Sequence, residues 1–132
     1  MKAVDTGFII DLLNGDPGAA EKAEEIGDNQ IATTTISVFE VAYGIFRSQR
    51  TDSGRTLGKA EHLFNRLEIL PFDHQAALLA GKITALLDSK GEKIERMDAM
   101  IGATVMVNGC ECIITRNVKH FSRLEELKTE SY

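Results

Sequence analysis

What this 132-residue chain lacks narrows its chemistry first. No apolar run approaches the roughly 20 residues needed to cross a bilayer. The N-terminus has no basic patch, long apolar segment or small-residue cleavage site of the kind that marks a signal peptide. A cytoplasmic protein without membrane contact is expected. Cysteine is scarce: only Cys110 and Cys112 occur, two apart in CECIIT. On a strand they face one side, too close for ordinary disulfide geometry, and a zinc site would need further ligands that no other cysteine supplies. Buried, reduced thiols are expected. The chain has no Gly-rich phosphate loop and no Ser, Cys or His nucleophile motif. Repeats and long linkers are missing as well, so residues 1–132, with 43% hydrophobic content, make one domain with a real core. Positive charge is also short, and a formal net charge of −5 argues against a passive, backbone-coating nucleic-acid binder.

The distribution of charge says more than its sum. Residues 1–40 hold eight acids and two bases, whereas residues 41–123 hold nine acids and twelve bases, a net of +3 in mid-chain. Arg47, Arg50, Arg55, Lys59 and Arg66 fall close together there, open to reading as a solvated face or as a phosphate-contacting rim.

Turn signals cut the chain into short strands and longer helices. A strand ends at Ala3 to Asp5, and a short helix runs from Gly7 to Leu13. Asp16 and Pro17 start the next helix, which stops at Gly27. QIATTT reads as a strand, followed by the helix SVFEVAYGIFRSQR with Ser37 as its cap and a loop around Asp52 to Gly54. Leu57, Ala60, Phe64 and Leu67 recur at helical spacing, and EILPF is strand-like. Ala76, Ala80, Ile83 and Leu87 mark a long amphipathic helix from Asp73 to Gly91. A further helix spans Arg96 to Asn108 with Gly109 as its stop. CECIIT is the clearest strand, FSRLEEL a last helix, and LKTESY an edge strand. This alternation predicts an α/β domain with a mostly parallel central sheet of about five short strands flanked by helices.

The N-terminal VDTGF then poses a question. Asp-Thr-Gly after an apolar strand is the local signature of aspartic proteases, here a homodimer giving one Asp5 from each subunit. An aspartate closing a first buried strand also opens many metal-dependent phosphotransfer enzymes. Aspartic proteases contain little helix, so the predicted fold disfavours the first reading. In a parallel sheet, residues that end strands gather at one edge whatever their separation in sequence. Asp5 ends the first strand, Glu40 lies in the first turn of the helix after QIATTT, Asp98 lies in the first turn at RMDAMIG, and Asn117 follows CECIIT. Each has an innocent alternative. Asp5 or Thr6 can cap a helix, Ser37 and Glu40 can form a capping box, Asp98 suits a helix start, and Asn117 suits a turn. Their coincidence after neighbouring strands favours an oxygen-rich site for Mg²⁺ or Mn²⁺. His62, His74 and His120 are scattered and read as ordinary surface or core residues.

Asp5-Thr6, SVFEVAYG with Glu40, RMDAMIGATVMVNG with Asp98, and CIITRNVKHF with Thr115 and Asn117 resemble, in order and spacing, the motifs of PIN-domain ribonucleases. The nearest likeness is to VapC-type toxins of toxin-antitoxin pairs, and it spans nearly the whole chain as a single PIN-like domain. Two positions depart from the pattern: Gly7 stands where serine is common, and Asn117 where some members carry a fourth aspartate. The resemblance implies a cytoplasmic endoribonuclease that hydrolyses RNA with Mg²⁺ or Mn²⁺. It implies Asp5, Glu40 and Asp98 as metal ligands and Asn117 as a catalytic partner, with Thr6 and Thr115 in support. Arg47, Arg50 and Arg116 would contact RNA. A homodimer and a cognate antitoxin are implied too, the antitoxin lying near the helix that carries Phe39, Tyr43 and Phe46. At least one of those aromatics is expected in the core. The alternative is a module of the same fold that binds RNA or protein through an impaired metal site.

Overall fold

The computed structural model describes residues 1–48 and 51–132. β1 (Lys2–Val4) leads into α1 (Thr6–Leu13) and α2 (Pro17–Ile26), and β2 (Ile31–Thr34) into α3 (Thr35–Arg47) and α4 (Ser53–Phe64). β3 (Glu68–Leu70) precedes α5 (His74–Ser89) and α6 (Arg96–Val107). β4 (Cys112–Ile114), α7 (Val118–Phe121) and β5 (Lys128–Glu130) complete the chain. The strands form one parallel sheet in the order β3-β2-β1-β4-β5. The α/β expectation therefore holds, including the parallel edge strand near the C-terminus.

Alternation along each strand builds two cores. Ala3, Ala32 and Ile113 point into a cluster with Leu87, Ile101, Val105 and Phe121, beneath α5, α6 and α7. Val4, Ile31 and Ile114 point the other way, against Phe8, Ile9, Ala19, Val41 and Ala60 of the first four helices. Both faces of the sheet are covered, as parallel sheets require. No described helix is long and apolar enough to cross a membrane.

Helix starts follow side-chain capping, and one differs from the sequence reading. Asp5, Asp16, Asp73 and Glu95 accept the backbone N–H three residues on, from Phe8, Ala19, Ala76 and Asp98 respectively. Thr34, not Ser37, caps α3: its Oγ1 accepts the Ser37 N–H at 3.1 Å. The expected Ser37–Glu40 capping box is thus absent, and Glu40 sits in the second turn of α3 rather than its first. Helix α4 begins at Ser53, so the expected loop around Asp52 to Gly54 shortens to a cap, and Leu67 lies beyond its end. The last helix is Val118–Phe121, upstream of most of FSRLEEL, because Leu124 and Leu127 serve the core from turns. Only Cys112 to Ile114 of CECIIT pair as a strand, leaving Cys110 half-buried outside it. Both thiols are free, and burial pushes each above its ordinary pKa.

The close packing of α6 supplies a test. A Cβ on Gly102 would overlap Leu124 Cδ1 and touch Leu127 Cδ2 at 3.8 Å. Overpacking costs about 1–3 kcal/mol, against a helix-propensity gain of about 1 kcal/mol. Gly102→Ala should therefore destabilise the protein by about 1 kcal/mol in denaturant titrations. In a Leu124→Ala background the same change should be neutral or stabilising, and equal losses in both backgrounds would refute this account.

Candidate functional site

The chain runs β1, β2, β3 outward on one side and then returns to place β4 and β5 on the other side of β1. The strand order reverses between β1 and β4, and the crevice beyond the carboxyl ends at such a point is where open α/β sheets bind ligands. Asp5 and Thr115 stand there, one residue past Val4 and Ile114, which share a register.

Asp5 is 6% exposed. Its Oδ1 accepts the Phe8 N–H at 2.9 Å and its Oδ2 accepts the Thr115 hydroxyl at 2.5 Å. Thr115 Oγ1 in turn accepts the Asn117 N–H at 2.8 Å. The Asn117 amide nitrogen reaches Asp98 Oδ2 at 3.0 Å and His120 Nδ1 at 2.9 Å, and that Nδ1 lies 3.2 Å from the same Asp98 oxygen. Glu40 is held from the other side, its Oε1 accepting the Thr6 hydroxyl at 2.7 Å. The predicted residues Asp5, Thr6, Glu40, Asp98, Thr115 and Asn117 thus converge on one crevice.

His120 joins them, contrary to its reading as an ordinary surface or core residue. One signal was available: it lies three residues past Asn117, a spacing that a short helix turns into one face. The arginines behave differently. Arg47 is exposed on α3, its guanidinium 5.5 Å from the Tyr43 ring centroid. Arg50 falls outside the described residues. Arg116, although between Thr115 and Asn117 in sequence, turns to Asp16 at 2.8 Å and Asp11 at 3.2 Å, and lies over the Tyr132 ring.

The electrostatics follow from burial. Asp5, Glu40 and Asp98 all hold their protons above the ordinary carboxylate range, each chiefly because burial disfavours the charge. Hydrogen bonds from Thr115, Thr6 and His120 respectively oppose that rise, while acidic neighbours add to it: Asp98 on Asp5 and Glu40, and Glu95 on Asp98. Among the described residues no lysine or arginine pairs with any of the three. Nor do three or more His, Cys, Asp or Glu side chains there close into one metal-holding group. An anionic crevice without a paired base, rather than a finished cage, fits an ion such as Mg²⁺, which keeps several waters and takes one or two carboxylates.

Residues 2–127 match the PIN domain family. The chain belongs to that family. A tRNA(fMet)-specific endonuclease VapC of Shigella flexneri is 26% identical over 129 residues, covering 98% of this chain and 96% of that protein. Ribonuclease VapC19 of Mycobacterium tuberculosis is 28% identical over 130 residues, covering 97% and 98%. The structure of DNA-bound VapBC from Salmonella typhimurium superposes with a TM-score of 0.86 at 26% identity, covering 98% of this chain and 96% of that one. A PIN domain with a parallel sheet leaves no place for the aspartic-protease reading of Asp5.

The raised carboxyls of this PIN domain predict a pH dependence. A group whose pKa is raised on folding binds more protons folded than unfolded, so stability falls as pH rises through the folded value. In EDTA the melting temperature should rise as pH falls from neutrality toward about 4, and Asp98→Asn should flatten that gain. Asp16 and Glu130 lie below the usual range, through Arg116 and through Lys22 and Lys2, and weaken the fold only at pH below about 4. Melting curves across this range decide the matter: a wild type that loses stability on acidification from neutrality toward about pH 4, in parallel with the mutant, contradicts raised carboxyls in the crevice.

Proposed function

We propose that this chain is a Mg²⁺- or Mn²⁺-dependent endoribonuclease and the toxin of a toxin-antitoxin pair. The observation that carries the reading is the crevice at the β1–β4 reversal, where Asp5, Glu40 and Asp98 hold raised pKa values and no lysine or arginine among the described residues pairs with them. The family and the ribonuclease names of its relatives support the reaction class. Asp5, Glu40 and Asp98 would hold the cation. When bound, the ion supplies positive charge against phosphoryl oxygens and lowers the pKa of water. Thr115 and the Phe8 N–H fix the Asp5 carboxylate, and Thr6 fixes Glu40, so neither must reorganise. Asn117 presents its amide beside Asp98 and orients water or a phosphate oxygen. Arg47, Arg50 and Arg116 would contact the RNA backbone, Arg47 from an exposed position and Arg116 only on release from Asp11 and Asp16. A second reading, a binding module with an impaired metal site, draws on Asn117 and on the open spacing of the acids.

Phe39, Tyr43 and Phe46 are 53%, 55% and 61% exposed, so the expectation that one of them belongs to the core is wrong. They run along α3, with Phe39 and Tyr43 stacked 6.1 Å apart. On the same helix, Val41, Gly44 and Ile45 meet Ile10 and Leu13 of α1 around a groove of about 250 Å³. This surface suits an amphipathic segment of an antitoxin. The homodimer implied by the resemblance, and a cytoplasmic site of action, complete the proposal.

Cleavage of RNA should require Mg²⁺ or Mn²⁺ and stop in EDTA, and Asp98→Asn should lower it by about 100-fold or more. Wild type should gain about 2.7 kcal/mol of stability at a cation concentration one hundred times Kd, and the mutant much less. Robust cleavage in EDTA by a nuclease-free preparation would overturn the proposal, and metal binding without cleavage would favour the binding module.

For the partner, Tyr43→Ala and Phe46→Ala should leave the melting temperature nearly unchanged because both rings are exposed. Each should weaken binding to the product of the adjacent reading frame by about 2 kcal/mol, or roughly 30-fold, in calorimetric titration. Unchanged affinity in the double variant would move the partner to another face.

A further inference from the structure

Three atoms in the crevice form a triangle that, with Asp98 ionised, protons alone do not satisfy. Asp98 Oδ2, the Asn117 amide nitrogen and His120 Nδ1 stand 3.0, 2.9 and 3.2 Å apart. If Nδ1 carries a lone pair, the amide serves both neighbours and two acceptors face each other across the third edge. If Nδ1 carries the proton, it serves Asp98 and two donors face each other instead. Turning the Asn117 amide over places Oδ1 at that corner and still leaves one edge between two bare oxygens. A cation resolves all three edges at once, because then every corner presents a lone pair to one point. Adjacent ligands of an octahedral ion at about 2.1 Å lie about 3 Å apart, which matches the triangle.

We infer that Asp98 Oδ2, Asn117 Oδ1 and His120 Nδ1 form one face of the cation site, and that the imidazole makes this site select Mn²⁺ over Mg²⁺. The inference rests on the metal-dependent reading above, turns the Asn117 amide so that it ligates as well as orients, and adds His120 as a ligand. Imidazole nitrogen suits first-row transition ions, whereas Mg²⁺ takes oxygen. Asp5 and Glu40, water and substrate phosphate are left for the remaining positions. His120 is partly exposed on a four-residue helix and is not one of the buried core residues.

The test uses the full chain, wild type, His120→Gln and Asp98→Asn, with Mn²⁺ and Mg²⁺ titrated separately by calorimetry. Wild type should bind Mn²⁺ roughly tenfold or more tighter than Mg²⁺. His120→Gln should lose most of that preference through weaker Mn²⁺ binding, with its Mg²⁺ affinity within about threefold of wild type. Pulsed electron paramagnetic resonance of the bound Mn²⁺ should show coupling to an imidazole nitrogen in wild type and none in His120→Gln. An unchanged Mn²⁺ preference in His120→Gln, or no nitrogen coupling in wild type, overturns the inference; the nuclease reading then stands if Asp98→Asn still abolishes cation binding and cleavage. No binding of either cation by wild type removes both.

Discussion

The site depends on keeping one carboxylate, Asp5, inside the protein at the end of the central strand. A buried charge without a paired base costs several kcal/mol, and here two hydrogen bonds offset part of that, each worth about 1.5–3 kcal/mol when made to a charged group. One comes from the Phe8 N–H, so α1 must start directly after β1. The other comes from Thr115, so β4 must lie beside β1 in the register that pairs Val4 with Ile114. The Asp5 N–H bonding to the Ile114 carbonyl at 3.3 Å locks the same alignment. Strand order, helix start and register are therefore conditions on a single side chain.

Threonine at the strand ends meets a double demand. Thr33, Thr34 and Thr115 are fully buried, and their branched side chains suit a pleated, covered surface. Each hydroxyl then does separate polar duty: Thr33 on the Val4 carbonyl, Thr34 on the Ser37 N–H, Thr115 between Asp5 and Asn117. Valine would pack as well but leave those groups unpaired. No buried side-chain nitrogen or oxygen among the described residues lacks a partner, so the crevice sits on element ends that packing and hydrogen bonding both fix.

This logic explains which parts were legible in the sequence. Strand and helix alternation gave a parallel sheet, which brings Asp5 and Asn117 to one edge, whereas Glu40 and Asp98 arrive on helices, Asp98 on α6, which follows α5 and not a strand. Local chemistry was less decisive. In TTTIS any hydroxyl can cap, and Thr34 wins because β2 ends there and its extended backbone, φ −117° and ψ 159°, aims the side chain at the first turn. Glu40 consequently reaches Thr6 from the second turn, a contact between residues 34 apart that capping rules do not describe. His120 escaped because α7 is a single turn, too short for a periodic signal. The exposed aromatics of α3 escaped because helical spacing marks a face without saying whether anything covers it.

Arg116 shows how the same loop serves two opposed needs. Its neighbours Thr115 and Asn117 face the crevice, while its own side chain faces away, pairing with Asp11 and Asp16 beneath the Tyr132 ring, whose hydroxyl donates to Asp11 at 2.6 Å. The Tyr132 ring stands edge-on to Phe8, the residue whose N–H holds Asp5, at 5.0 Å. The clamp thus braces both supports of the buried carboxylate. It also ties up a base that a polyanionic substrate would otherwise meet, since Arg116 reaches RNA only by giving up two carboxylates and an aromatic face. With a net charge of −5 and three acids in the crevice, the protein offers phosphate little attraction there. A bound cation would thus act on substrate affinity as well as on the chemical step, because without it the residues that orient the reaction also repel the RNA.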